Sequence, residues 1–187
     1  ALILFATGRP EATDTIGRRG VQQSIGFATS STSRLTVAGF SADNQGSDED
    51  RIQRVDSCFA SITSVLQGLL DLQSFDSDGF TLVVDDQIPV STRVSYLALG
   101  GDLLTNVKTT TFNLTAGTGN QSVTGVGFKP DAVLFVTTNQ VSGNVIEADN
   151  VLGFGVAVTS SQQFTTAFRG SSFFGSSQTH GYHLDDE

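Results

Sequence analysis

The 187-residue sequence has no tryptophan, no methionine, one cysteine, three prolines, two histidines and only two lysines. A single thiol excludes an internal disulfide, and Cys58, set in the apolar run CFASI, reads as a small buried hydrophobe rather than a nucleophile. Basic residues are outnumbered 10 to 19 by acidic ones, for a net charge of −9. A phosphate backbone would be repelled by such a chain, which argues against a nucleic-acid partner. No apolar run approaches the roughly 20 residues that a membrane-spanning helix needs, so no membrane partner is expected. The opening ALILFA is too short, and lacks the preceding basic segment, for a signal peptide. These absences describe a soluble chain, and the missing initiator Met makes it read as processed or as a window on something longer.

Phenylalanine, by contrast, occurs 14 times and glycine 20 times. Short β-prone runs alternate with turn signals: ALILFAT, SIGFATS, RLTVAGF, GFTLVVDD, RVSYLALGG, TTTFNLT, QSVTGVGF, DAVLFVTT, VLGFGVAV and QFTTAFRG. This spacing predicts an all-β fold, an antiparallel β-sandwich or jelly-roll-like arrangement with little or no helix. In GFTLVV, the two-residue period puts Phe80, Leu82 and Val84 on one face, expected to be core. Residues 48–66 support two readings. Ile52, Val55, Phe59, Ile62 and Leu66 recur at helical spacing, whereas the Ser, Thr, Cys and Val content of DSCFASITSV suits a strand. The β character of every neighbouring element favours the strand.

A long-period repeat runs through the chain. Phe5 aligns with Phe135 and Thr29-Ser30-Ser31 with Thr159-Ser160-Ser161, both at an offset of 130 (135 − 5; 159 − 29), while Gly26-Phe27-Ala28 and Gly155-Val156-Ala157 agree within one residue. A period this long predicts two tandem related units, 1–101 and 108–187, joined at Gly100-Gly101-Asp102. On this alignment the first unit lacks its N-terminal hairpin and the second its C-terminal strands. Two expectations follow: Phe5 and Phe135 occupy equivalent buried positions, and the unbroken apolar strand Ala1–Thr7 is central in its sheet, beside a segment that the first unit does not itself supply.

Candidate chemistry is sparse. Asp76 and Asp78 alternate in a tight turn and are weak calcium candidates, but the further ligands of a calcium loop are missing, so the turn reading is preferred. Asp43, Asp48, Glu49 and Asp50 read as a solvated loop or a helix start. His180 and His183, close to Asp185, Asp186 and Glu187, lack the spacing of hydrolytic zinc sites and read as a surface tail. No nucleophile, base and orienter set is visible, so neither catalytic residues nor a cofactor are expected. Arg9, Arg18, Arg19, Arg51 and Arg54 make the first half locally basic and suit pairing with acidic loops across a subunit interface, or scattered surface charge.

The segment GNQSVTGVGFKPDAVLF, together with SFDSDGFTL followed by VSYLALGG, resembles β-rich modules of tailed-bacteriophage virion proteins. The resemblance implies a structural protein displayed on the particle surface, as head decoration or as a tail or fibre component. It would act by assembly, with other virion proteins and copies of itself as partners, as a homo-oligomer, and it would reside in the virion after assembly in the bacterial host cytoplasm. The competing reading is a lectin-like module of a tail fibre that binds a host glycan or receptor. The lack of Trp and the two Tyr weaken that alternative, because sugar stacking uses flat aromatic faces.

Overall fold

The computed structural model describes residues 1–7, 21–41, 49–88, 92–171 and 178–185. Among these residues the protein is all-β, with no helix. Thirteen strands follow in order: β1 (Leu2–Thr7), β2 (Val21–Ser30), β3 (Ser33–Ser41), β4 (Glu49–Arg54), β5 (Phe59–Ile62), β6 (Leu66–Asp76), β7 (Gly79–Asp86), β8 (Val94–Ala98), β9 (Val133–Thr137), β10 (Glu147–Ala148), β11 (Asn150–Thr159), β12 (Gln162–Ser171) and β13 (Gln178–Asp185). They form three antiparallel sheets, ordered β10-β4-β3-β2-β1-β8, β5-β6-β7 and β13-β12-β11-β9.

The first two sheets pack face to face as a β-sandwich. Leu2, Leu4, Ala6 and Ala28 of the larger sheet share one buried cluster with Cys58, Phe59, Leu70 and Leu72 of the smaller, and Phe80 and Leu82 pack on its margin. Alternation therefore holds at Phe80 and Leu82 and fails at Val84, which is exposed. A second cluster joins Ala38 and Ile52 to Ala60, Ile62 and Leu69. The layers meet so closely at Gly26 that an added Cβ would overlap the carbonyl oxygen of Cys58. Two polar pairs caught between the layers are matched: Gln22 donates to Ser61 Oγ at 2.9 Å and the Ala60 amide to Ser24 Oγ at 3.3 Å.

Of segment 48–66, the described residues 49–66 form β4, a bend, β5 and the first residue of β6, so the strand reading holds. Its helical spacing is a coincidence of position, since Ile52 lies on β4 of one sheet and Phe59 and Ile62 on β5 of the other, all three buried between the layers. Two expected strands are not strands. TTTFNLT and QSVTGVGF lie in the irregular, mostly exposed stretch 99–132, where β-prone residues have no partner strand or buried face to fix them.

β1 is central, as its apolar run requires, but its second neighbour is β8, within residues 1–101. β8 pairs along it from Leu2↔Ala98 to Ala6↔Val94, and the chain ends of the ladder are clamped by reciprocal bonds between Ala1 and Leu99. The expectation of an outside segment beside residues 1–7 is therefore wrong: RVSYLALGG itself closes that edge.

The four-stranded sheet repeats the order of β1–β4. β9, β11, β12 and β13 pair consecutively and antiparallel, as β1, β2, β3 and β4 do. Both central hairpins shift register at the same place, between Ala28 and Ser30 and between Ala157 and Thr159. In both turns a side-chain hydroxyl accepts an amide two residues on, Thr32 to Ser30 at 3.2 Å and Ser161 to Thr159 at 3.3 Å. Thr36 Oγ1 donates to the Ile25 carbonyl and Thr165 Oγ1 to that of Phe154, each at 3.1 Å. All these pairs are related by 129 residues (159 − 30; 165 − 36), which makes Gly155 the counterpart of Gly26.

This register corrects the expectation for the two phenylalanines. Leu4 lies opposite Gly26 and Phe135 opposite Gly155, so Phe135 matches Leu4, and Phe5 matches Val136. The similarity of ALILF to AVLF hides a one-residue slip, which in a strand exchanges the two faces. Neither ring is buried, with Phe5 at 38% and Phe135 at 39% exposure.

Candidate functional site

Two features lie outside the sandwich core: a charged seam between the first and third sheets, and the exposed face of the third sheet.

At the seam, β10 pairs with the outer edge of β4, Glu147 opposite Arg51 and Ala148 opposite Asp50. The Arg51 guanidinium holds this junction with three bonds, to the carbonyls of Ala148 (2.6 Å) and Asp149 (2.7 Å) and to Glu147 Oε2 (2.9 Å). The Asn144 amide adds a bond to the Gln53 carbonyl at 2.7 Å. Glu49, read from sequence as part of a solvated loop or a helix start, is instead 2% exposed on β4 and accepts a hydrogen bond from Ser41 Oγ at 2.5 Å. Burial pushes its carboxyl above the usual range, the Ser41 bond opposes that, and Asp149 and Asp50 add to the rise. Gly170 of β12 passes against this carboxylate so closely that an added Cβ would overlap it. Arg54 is engaged by Asp56 in a two-bond fork at 2.7 and 2.8 Å. Arg51 and Arg54 are thus both bound within the chain; Arg9, Arg18 and Arg19 lie outside the described residues.

The other sequence candidates fall apart from the seam and from one another. Asp76 opens the β6–β7 turn, where Gly79 adopts φ +151°, a value open to glycine. Its two carboxylate oxygens accept Ser74 Oγ and Thr81 Oγ1, each at 2.8 Å, and these bonds hold its carboxyl below the usual range. Asp78 lies in the same turn, with no described group of three or more His, Cys, Asp or Glu assembled around either carboxylate. His180 and His183 belong to β13, paired opposite Arg169 and Thr166, so the stretch is a strand and not a loose tail. Sequence reasoning missed this strand because THGYH has no apolar alternation. Cys58 is fully buried, donates to the Leu70 carbonyl at 3.2 Å, and has its thiol pushed up to about 11 by burial and by Asp71, which keeps it protonated at neutral pH.

The third sheet presents the counterpart of the first sheet's inner face without a covering layer among the described residues. Leu4 and Ile52 are 2% and 1% exposed; their counterparts Phe135 and Tyr182 are 39% and 63% exposed. Phe112, from the irregular stretch, meets Phe135 edge to face at 6.5 Å and leaves both rings partly exposed. Among the described residues β9 has a neighbour on one side only, where β1 has two, and its sequence VLFVT carries no charge to discourage pairing. β8 is likewise the last described strand of its sheet, and VSYLA is also uncharged.

No protein family, curated protein or solved structure matches the chain.

Proposed function

We propose that the protein is a structural component of a bacteriophage particle, displayed on its surface as capsid decoration or as part of the tail or a fibre, and that it acts by assembly rather than catalysis. In this reading its tandem related units, 1–101 and 108–187, are modules of a repeated scaffold, and its partners are other virion proteins and copies of itself. The observation that carries the reading is the third sheet: among the described residues, an open, uncharged edge at β9 beside an uncovered face is a surface suited to protein contact. The particle location rests on the sequence resemblance. Imaging of purified particles labelled with an antibody to this chain is the test. Regular copies on the head, or a few at the tail, support the proposal; particles that carry none of the chain overturn it.

A further inference from the structure

The correspondence between the two meanders identifies what the uncovered face accepts. Gly26 is a glycine because the carbonyl of Cys58, the residue that leads into β5 of the covering layer, rests on it. Gly155 occupies the equivalent place, yet the nearest atoms to an added Cβ there belong to its own sheet: the Phe164 carbonyl at 3.4 Å, Thr165 Oγ1 at 3.5 Å and Phe135 Cβ at 3.7 Å. Nothing in that local environment calls for glycine. Around it the small residues of the first face recur, with Thr165 for Thr36, Ala167 for Ala38 and Ala157 for Ala28, ringed by the larger Phe135, Tyr182 and Leu184. Small residues along the middle of a sheet, with large ones at its sides, form a trough for a close-lying backbone. The first sandwich shows that backbone in place.

We infer that this face is a docking surface for a three-stranded antiparallel β-layer of the β5–β7 kind, followed by a β8-like strand that pairs along β9. The occupant is a further β-layer of that same make and order, a covering layer and then a closing strand, as β5–β7 and β8 follow the meander in the first sandwich. A second copy of this chain does not fit the role: it has one such layer for two equivalent faces, and that layer already covers its own first sheet. This inference rests on the internal correspondence and is independent of where the protein resides.

The test extends the full chain with a second copy of its own residues 56–101 appended after Glu187. The extended protein is expected to bind 1-anilinonaphthalene-8-sulfonate several-fold more weakly than the 187-residue chain, and amides of 133–137 and 150–169 should exchange at least about tenfold more slowly. Gly155→Val supplies the second arm. In the 187-residue chain it is expected to leave dye binding and melting unchanged; in the extended chain it should return exchange to the unextended rate, because its side chain occupies the place of the covering carbonyl. Unchanged dye binding and exchange on extension overturn the inference, as does protection insensitive to Gly155→Val. So does a concentration-dependent dimer of the 187-residue chain in which 150–169 become protected, since a second copy would then be the occupant.

Discussion

Two sheets in this molecule share strand order, register and turn chemistry, yet one is the floor of a closed core and the other lies open. The difference is instructive because so little of it resides in the shared strands. Thr36 and Thr165 make the same bond to the same carbonyl, yet Thr36 is completely buried and Thr165 exposed. What separates them is the layer β5–β7. A meander of four strands carries the local information, from hairpin bulge to hydroxyl-capped turn, while stability at its inner face comes from the layer above, through apolar area removed from water.

The sharpest way to break the comparison is at the paired glycines. Gly26→Ala forces a methyl into the Cys58 carbonyl and must part the two layers, so a loss of about 3 kcal/mol or more is expected in urea unfolding. Gly155→Ala should move stability by at most about 1 kcal/mol, in either direction. Similar losses at both positions would mean that the two faces are not in different states. The next contrast is Leu4→Ala against Phe135→Ala. The first empties a buried site and should cost about 2–5 kcal/mol, and the second, at an exposed ring, less than about 1 kcal/mol.

The seam sharpens the comparison in pH. Because burial raises the Glu49 carboxyl, the folded state holds that proton more tightly than the unfolded chain does. Its contribution is therefore fully present below the ordinary value of 4.5 and is lost as pH rises through the folded value. Glu49→Gln, which keeps an oxygen for Ser41, is expected to raise the melting temperature by a few degrees at pH 7 and to give no gain at pH 4. Asp71, also raised mainly by burial but faced by Arg34 at 3.2 Å, has the same sign of pH dependence in the first sandwich. The smallest expected effects concern groups the fold has already engaged. Cys58 should resist thiol reagents until the protein unfolds, and chelation should leave the melting temperature unchanged, since a cation bound only to the native state would have to raise it.

Much of the architecture was legible from residue pattern. Alternating β-prone runs between turn signals gave an all-β chain, and LILF, apolar at every position, marked β1 as central. The repeat was visible as well, but its register was not. Similarity along β1 and β9 suggested one offset and the GFA and GVA triplets another, and only the pairing partners showed that the triplets align the faces correctly. Burial of Glu49 was hidden because DEDR reads as a charged run until β10 and Gly170 close over it. β13 was hidden for a related reason: a strand held mainly by its ladder with β12 needs no hydrophobic alternation of its own. Long-range pairing decided each of these, and composition does not encode it.

The placement of β8 against β1 has a mechanical consequence. The two strands run antiparallel with Ala1 and Leu99 bonded at the same end of the ladder. Tension applied between those two residues would load the ladder from that end, one hydrogen bond after another, rather than shearing all of them together. Under such a pull the first sandwich opens as a zipper, at low force, with β8 peeling away while the Gly26–Cys58 contact between the layers is still closed.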